Sequence, residues 1–157
     1  MGEHEHQSLG EEHSKSDQVQ IILLIILILV WVFDSFILKR YLLTQVPVLI
    51  RLFAGIALAV AGVYLVQQSH RLVIEADEPK LVDWGVYSVT RHPMYLGSML
   101  FELGIVATTL SIPALLIWVV IFSAYNWFAA YEENSLLDIL GEEYGSYMGR
   151  VSCWGLF

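Results

Sequence analysis

Between Ile21 and Leu38 the chain is apolar except for Asp34 and Ser35, and about 20 such residues are what a helix needs to cross a bilayer. The run is too long for a secretory signal peptide and lacks a basic start, so it reads as a first membrane helix closed by Lys39 and Arg40. Composition agrees: 57% of the 157 residues are hydrophobic and 15% charged, where a soluble domain carries about 25% charged residues. With a mean hydropathy of +0.62, the expected fold class is all-α and integral to the membrane. An overall charge of −8 argues against a nucleic-acid partner. Cys153 is alone, which excludes an internal disulfide. Four residues follow it rather than three, so it carries no C-terminal lipidation signal.

Residues 1–18 are acidic and without apolar periodicity, and are expected to form a disordered tail. His4, His6 and His13 lie there among glutamates, a pattern that fits a solvated tail better than a metal site. Residues 19–157 then read as one membrane domain, with two packing helices over 19–68. Asp34 is expected to reach the interface or pair with a cation. The second helix follows Pro47 and ends near Gln67 and Gln68, with Arg51 snorkelling back to the surface. Gly55, Ala59 and Gly62 form a small-residue stripe for close helix packing.

Residues 69–157 hold the polar chemistry. A long connection from Ser69 to His92 leads into a short third helix, Pro93 to Leu110. Ser111, Ile112 and Pro113 turn the chain into a fourth helix from Ala114 to about Tyr131, making an antiparallel hairpin. Glu132 and Glu133 end the membrane run. An amphipathic helix with Leu136, Leu140, Tyr144 and Tyr147 at helical spacing follows, to lie at the interface. About four spans put both termini and the 69–92 loop on one side. Lys15, Arg71, Lys80, Arg91 and Arg150 face Lys39, Arg40 and Arg51 across the membrane, which favours that side as cytoplasmic.

The junction at Arg91, His92 and Pro93 organises this side. Proline suits the first turn of a helix and keeps the residue before it out of helical geometry. Arg91 and His92 therefore stand at a helix mouth beside free N–H groups, a seat for a charged cofactor. Gathered with them are Tyr95, Glu132, Glu133, Tyr144, Tyr147 and Arg150. Two arginines can clamp a carboxylate, and a glutamate can hold an ammonium or ribose hydroxyls. His92 is expected to have no nearby histidine or cysteine partner, so no metal shell is expected, and no phosphate-cradling glycine loop is present. Glu102, ionisable within the third helix, is a functional candidate or a structural hydrogen-bonding group.

Gly85-Val86-Tyr87, Arg91-His92-Pro93-Met94-Tyr95-Leu96-Gly97, Glu132-Glu133, Gly141-Glu142-Glu143-Tyr144, Tyr147 and Arg150-Val151 occur in an order that resembles the C-terminal half of the isoprenylcysteine carboxyl methyltransferase family. The likeness covers roughly residues 80–152. It implies a membrane methyltransferase that uses S-adenosyl-L-methionine on a lipophilic or prenylated acceptor. By position it implies cofactor contacts from His92, Pro93, Tyr95, Leu96, Glu132, Glu133, Tyr144, Tyr147 and Arg150. Arg91, His92 and Glu102 are the candidate catalytic residues. Arg91 would steer an acidic group, and His92 or Glu102 would take a proton if the acceptor were an amine or phenol. The chain departs from the family at Val86 and Ser152, where proline is usual, and in its tail from Cys153 to Phe157. An NADPH-dependent reductase of the sterol-reductase type and a non-catalytic membrane protein of the same fold stand as alternatives.

Overall fold

The computed structural model describes residues 18–39, 42–43, 45–75 and 81–155. The expected tail, with His4, His6 and His13, lies outside the described residues. Five helices account for most of the rest: α1 (Gln18–Leu38), α2 (Val48–Glu75), α3 (Pro93–Thr109), α4 (Ile112–Leu140) and α5 (Glu142–Arg150). α1, α2 and α4 are long and apolar enough to cross a membrane. α3, the remaining expected span, has 17 residues, or ~25 Å at 1.5 Å per residue. Large apolar side chains face outward, among them Phe53 at 78% and Leu49 at 76% exposure, which only a lipid surround accommodates. The protein is an all-α integral membrane protein.

The buried core is Leu27, Met99, Val106, Ala114, Ile121 and Tyr125, drawn from α1, α3 and α4. α2 and α3 are joined differently, backbone against backbone. Gly55 lies on Gly104 and Gly62 on Gly97, so two glycine pairs seven residues apart fix an antiparallel register. A Cβ placed on Gly55 or on Gly104 would come within 2.7 Å of the other's carbonyl oxygen. The small-residue stripe is thus a packing device, as its spacing suggested, and Gly97 and Gly104 are its counterpart on α3.

At one end the α3–α4 turn receives α1. The last turn of α1, Phe33–Leu38, widens to a π-helix that the Lys39 N–H closes on the Asp34 carbonyl at 2.7 Å. This turns Asp34 and Ser35 inward. Asp34 is 2% exposed and accepts from the Ser111 hydroxyl at 2.6 Å, which corrects the expectation of an interfacial or cation-paired carboxylate. The Ser111 hydroxyl also caps α4 by accepting from the Ala114 N–H. Arg51 does not simply snorkel; it donates to the Thr109 carbonyl at 3.1 Å, where a helix C-terminus favours a cation.

Two expected boundaries move. α2 runs on to Glu75, because nothing between Gln67 and Glu75 breaks a helix and Arg71 pairs with Glu75 one turn away at 2.7 Å. α4 likewise continues through Glu132 and Glu133 to Leu140, so Leu136 and Leu140 belong to it and not to a separate amphipathic helix. The break falls at Gly141, whose φ of +56° suits glycine. At ~43 Å, α4 outreaches a bilayer core of about 30 Å. The paired glutamates lie within its last three turns.

Candidate functional site

Pro93 opens α3 at its first turn, and His92 before it stands outside helical geometry at φ −124° and ψ 61°, because the proline ring disfavours the α region for the residue that precedes it. Leu96 makes the first helical bond, its N–H donating to the His92 carbonyl at 2.9 Å. The His92 ring is thereby released from the helix and turns to the end of α4. There its Nε2 lies 2.9 Å from Glu133 Oε1, and the Arg91 Nε donates to the same oxygen at 2.8 Å. His92 Nδ1 is 3.6 Å from the Glu132 carboxylate. Arg91 also donates through Nη1 to the Met148 and Val151 carbonyls. One carboxylate therefore holds the start of α3, and the guanidinium ties both to the end of α5.

This network is shielded from water: His92 is 5% exposed, and the Arg91 and Glu133 side chains 11% and 12%. Burial disfavours the charged form of His92, yet the hydrogen bonds and charges of Glu132 and Glu133 prevail and raise its pKa above the ordinary value. The shift favours the protonated ring. Tyr95 stacks on His92 with centroids 5.6 Å apart.

α5 closes over this cluster with its aromatic face turned to protein. Tyr144 and Tyr147 are each 2% exposed, and the Tyr147 hydroxyl donates to the Tyr87 carbonyl at 2.7 Å. Tyr87 in turn shares a 2.6 Å hydrogen bond with Ser69 at the end of α2. Burial, with the nearby Tyr87, pushes Tyr147 up to about 12; burial and the Glu133 charge raise Tyr144 as well. Both are neutral phenols at physiological pH.

The Arg150 side chain is 64% exposed and pairs with Asp83 at 3.2 Å, whereas the Arg91 guanidinium is turned to Glu133. Glu102 is apart, ten residues along α3 from His92, or ~15 Å at the helical rise. It is 3% exposed and lines a cavity of about 480 Å³ between α1, α2, α3 and α4.

Sequence reasoning missed the segment after α5. The Arg91 N–H donates to the Ser152 carbonyl at 3.1 Å, and the Thr90 hydroxyl donates to the Cys153 carbonyl at 2.6 Å. Trp154 faces His92 with centroids 6.0 Å apart and is anchored by its indole N–H on Asn126 at 2.9 Å. The expectation that His92 has no cysteine near it is overturned. A His92 ring nitrogen, a Glu133 oxygen and Cys153 Sγ lie within 4.8 Å of one another, a spacing that can hold a metal ion. Against that use, Arg91 already occupies the carboxylate. Burial and the Glu133 charge also push the thiol up to about 11, whereas metals take the thiolate. The only signal for this segment was its composition, a tryptophan and a cysteine just beyond a polar helix.

The family model described as phospholipid methyltransferase matches residues 48–143. That interval takes in α2 as well as the Arg91-to-Tyr95 motif and both glutamates. Protein-S-isoprenylcysteine O-methyltransferase B of Arabidopsis thaliana is 34% identical over 85 residues, an alignment covering 53% of this chain and 43% of that protein. The chain thus matches less than half the length of this curated relative. No solved structure matches it.

Proposed function

The chain belongs to the phospholipid methyltransferase family, and we propose that it is an integral membrane methyltransferase moving a methyl group from S-adenosyl-L-methionine to a lipophilic acceptor that arrives from the bilayer. The observation that carries this reading is the buried Arg91–Glu133–His92 network where the start of α3 meets the end of α4. A cation, two carboxylates and the faces of Tyr95 and Trp154 in one place suit a ligand that is itself zwitterionic, cationic at sulfur and rich in hydroxyls. The donor set therefore fits the cofactor. His92, Pro93, Tyr95, Leu96, Glu132, Glu133, Tyr144 and Tyr147 are the residues that would hold it.

Bound there, the cofactor supplies an activated methyl group. The protein's own task is alignment and exclusion of water, effects worth several kcal/mol when donor and acceptor are fixed in line. Arg91, anchored on α4 and α5, presents a fixed positive charge and does not titrate usefully. His92, paired with Glu133, fixes the start of α3 against the end of α4. Tyr144 and Tyr147 close the aqueous side with neutral hydroxyls. The site end faces the cytoplasm, where five of the eight basic residues lie.

Calorimetry on the detergent-purified protein tests the reading. S-adenosylhomocysteine is expected to bind, and NADPH to give no heat. Glu133→Ala and Arg91→Ala should each weaken S-adenosylhomocysteine at least tenfold, whereas Arg150→Ala, which breaks only an exposed pair with Asp83, should change it less than threefold. Binding of NADPH alone would instead favour a reductase, and unchanged affinity in both Glu133→Ala and Arg91→Ala would remove the site.

A further inference from the structure

Glu102 is the feature that the network above leaves unused. It is 3% exposed, its Oε2 has no hydrogen-bond partner, and it lines the 480 Å³ cavity together with Gln20, Gln67, Ser98 and Tyr125. That volume lies within the roughly 300–1,000 Å³ of small-molecule sites. A buried carboxylate in a membrane helix faces the bundle interior or a cavity, and an unsatisfied oxygen there is unfavourable until something donates to it. The cavity's rim includes Ile21, Val63 and Phe101, all exposed on the outer surface of the bundle. Access is therefore sideways from lipid. The inner end approaches the cofactor region through aromatic rings: Tyr125 of the cavity wall packs on Tyr95 at 5.4 Å, and Tyr95 stacks on His92.

We propose that this cavity binds a lipophilic molecule whose head group carries a hydrogen-bond donor, an ammonium in preference to a hydroxyl, with the Glu102 carboxylate as its acceptor. A carboxylate head is disfavoured there, because two like charges repel strongly where water is excluded. The chain of such a ligand lies against Val63 and Phe101. That the ligand is also the methyl acceptor rests on the reading given above; the binding does not.

The test uses the full chain in detergent and native mass spectrometry with three matched probes: dodecylamine, dodecanol and dodecanoate. Dodecylamine is expected to bind at least tenfold more tightly than dodecanoate, with dodecanol between them. Glu102→Leu should abolish that preference and raise the melting temperature, since it removes a buried group without a partner. Glu102→Gln, which keeps an acceptor but no charge, should retain dodecanol and lose the advantage of the amine. Val63→Trp, which fills the cavity without touching the carboxylate, should weaken all three. Dodecanoate binding as tightly as dodecylamine, or a preference that survives Glu102→Leu, overturns the proposal. If the amine preference is present but S-adenosylhomocysteine fails to bind, the methyltransferase reading falls and the lipid-side site stands.

Discussion

A single oxygen of Glu133 takes hydrogen bonds from Arg91 and His92, so this carboxylate is the residue whose loss is felt most widely. Removing one partner from a shielded ion pair costs about 3 kcal/mol or more, and Glu133→Ala should show a loss of that size in reversible denaturant unfolding in mixed micelles. His92 makes the site sensitive to pH in a definite direction. Its pKa is raised on folding above the ordinary 6.5, so its stabilising contribution is complete below that value and is lost as pH rises through the folded value. Melting temperatures measured from pH 5.5 to 9 should fall across that window, and His92→Gln should flatten the fall; a profile identical to the parent's would show that the ring is not held charged. At this scale Arg91, His92 and Glu133 were legible because a proline after a histidine marks a helix start and a pair of glutamates marks a helix leaving the membrane. Cys153 and Trp154 were not. Their proximity to His92 depends on a chain reversal after α5 that no local pattern announces.

Glycines decide how α2 and α3 meet, and this is a matter of whole elements. Gly62 and Gly97 bring the two backbones so close that Gly62→Leu must separate the helices, at a cost of about 2 kcal/mol or more; the expected readout is a melting temperature lowered by several degrees. Since α3 carries His92 at its start, the same variant should also weaken S-adenosylhomocysteine. The segment after α5 acts as a strap across the Arg91 turn. Trp154→Ala removes both the bond to Asn126 and the ring against His92, so hydrogen exchange at the Arg91 amide should accelerate at least tenfold. Helix existence followed from apolar runs, yet two ends were misplaced by two turns or more. Hydropathy reports where lipid contact stops, whereas a helix continues into water until a residue such as Gly141 breaks it.

For the molecule as a whole, we propose that the ends of α1 and α2 alternate across the membrane, so that the site, the start of α1 and the end of α2 share one side. In a Cys153→Ser background, Gln18→Cys and Ser146→Cys should be labelled by a membrane-impermeant maleimide from the same side and Gln45→Cys from the other. Labelling of Gln18→Cys and Ser146→Cys from opposite sides would dismantle the arrangement. The sequence alone determined that the chain lies in a membrane, that it is helical, and that cationic and acidic motifs gather beside one another near one boundary. Those properties are local, set by transfer free energy and by proline and glycine geometry. Tertiary structure alone decided that one carboxylate serves both Arg91 and His92, that Arg150 pairs with Asp83, and that Glu102 lines a cavity between four helices. Each of these depends on which helix faces which across the bundle, and that is settled by side-chain volumes and glycine contacts between segments far apart in the chain.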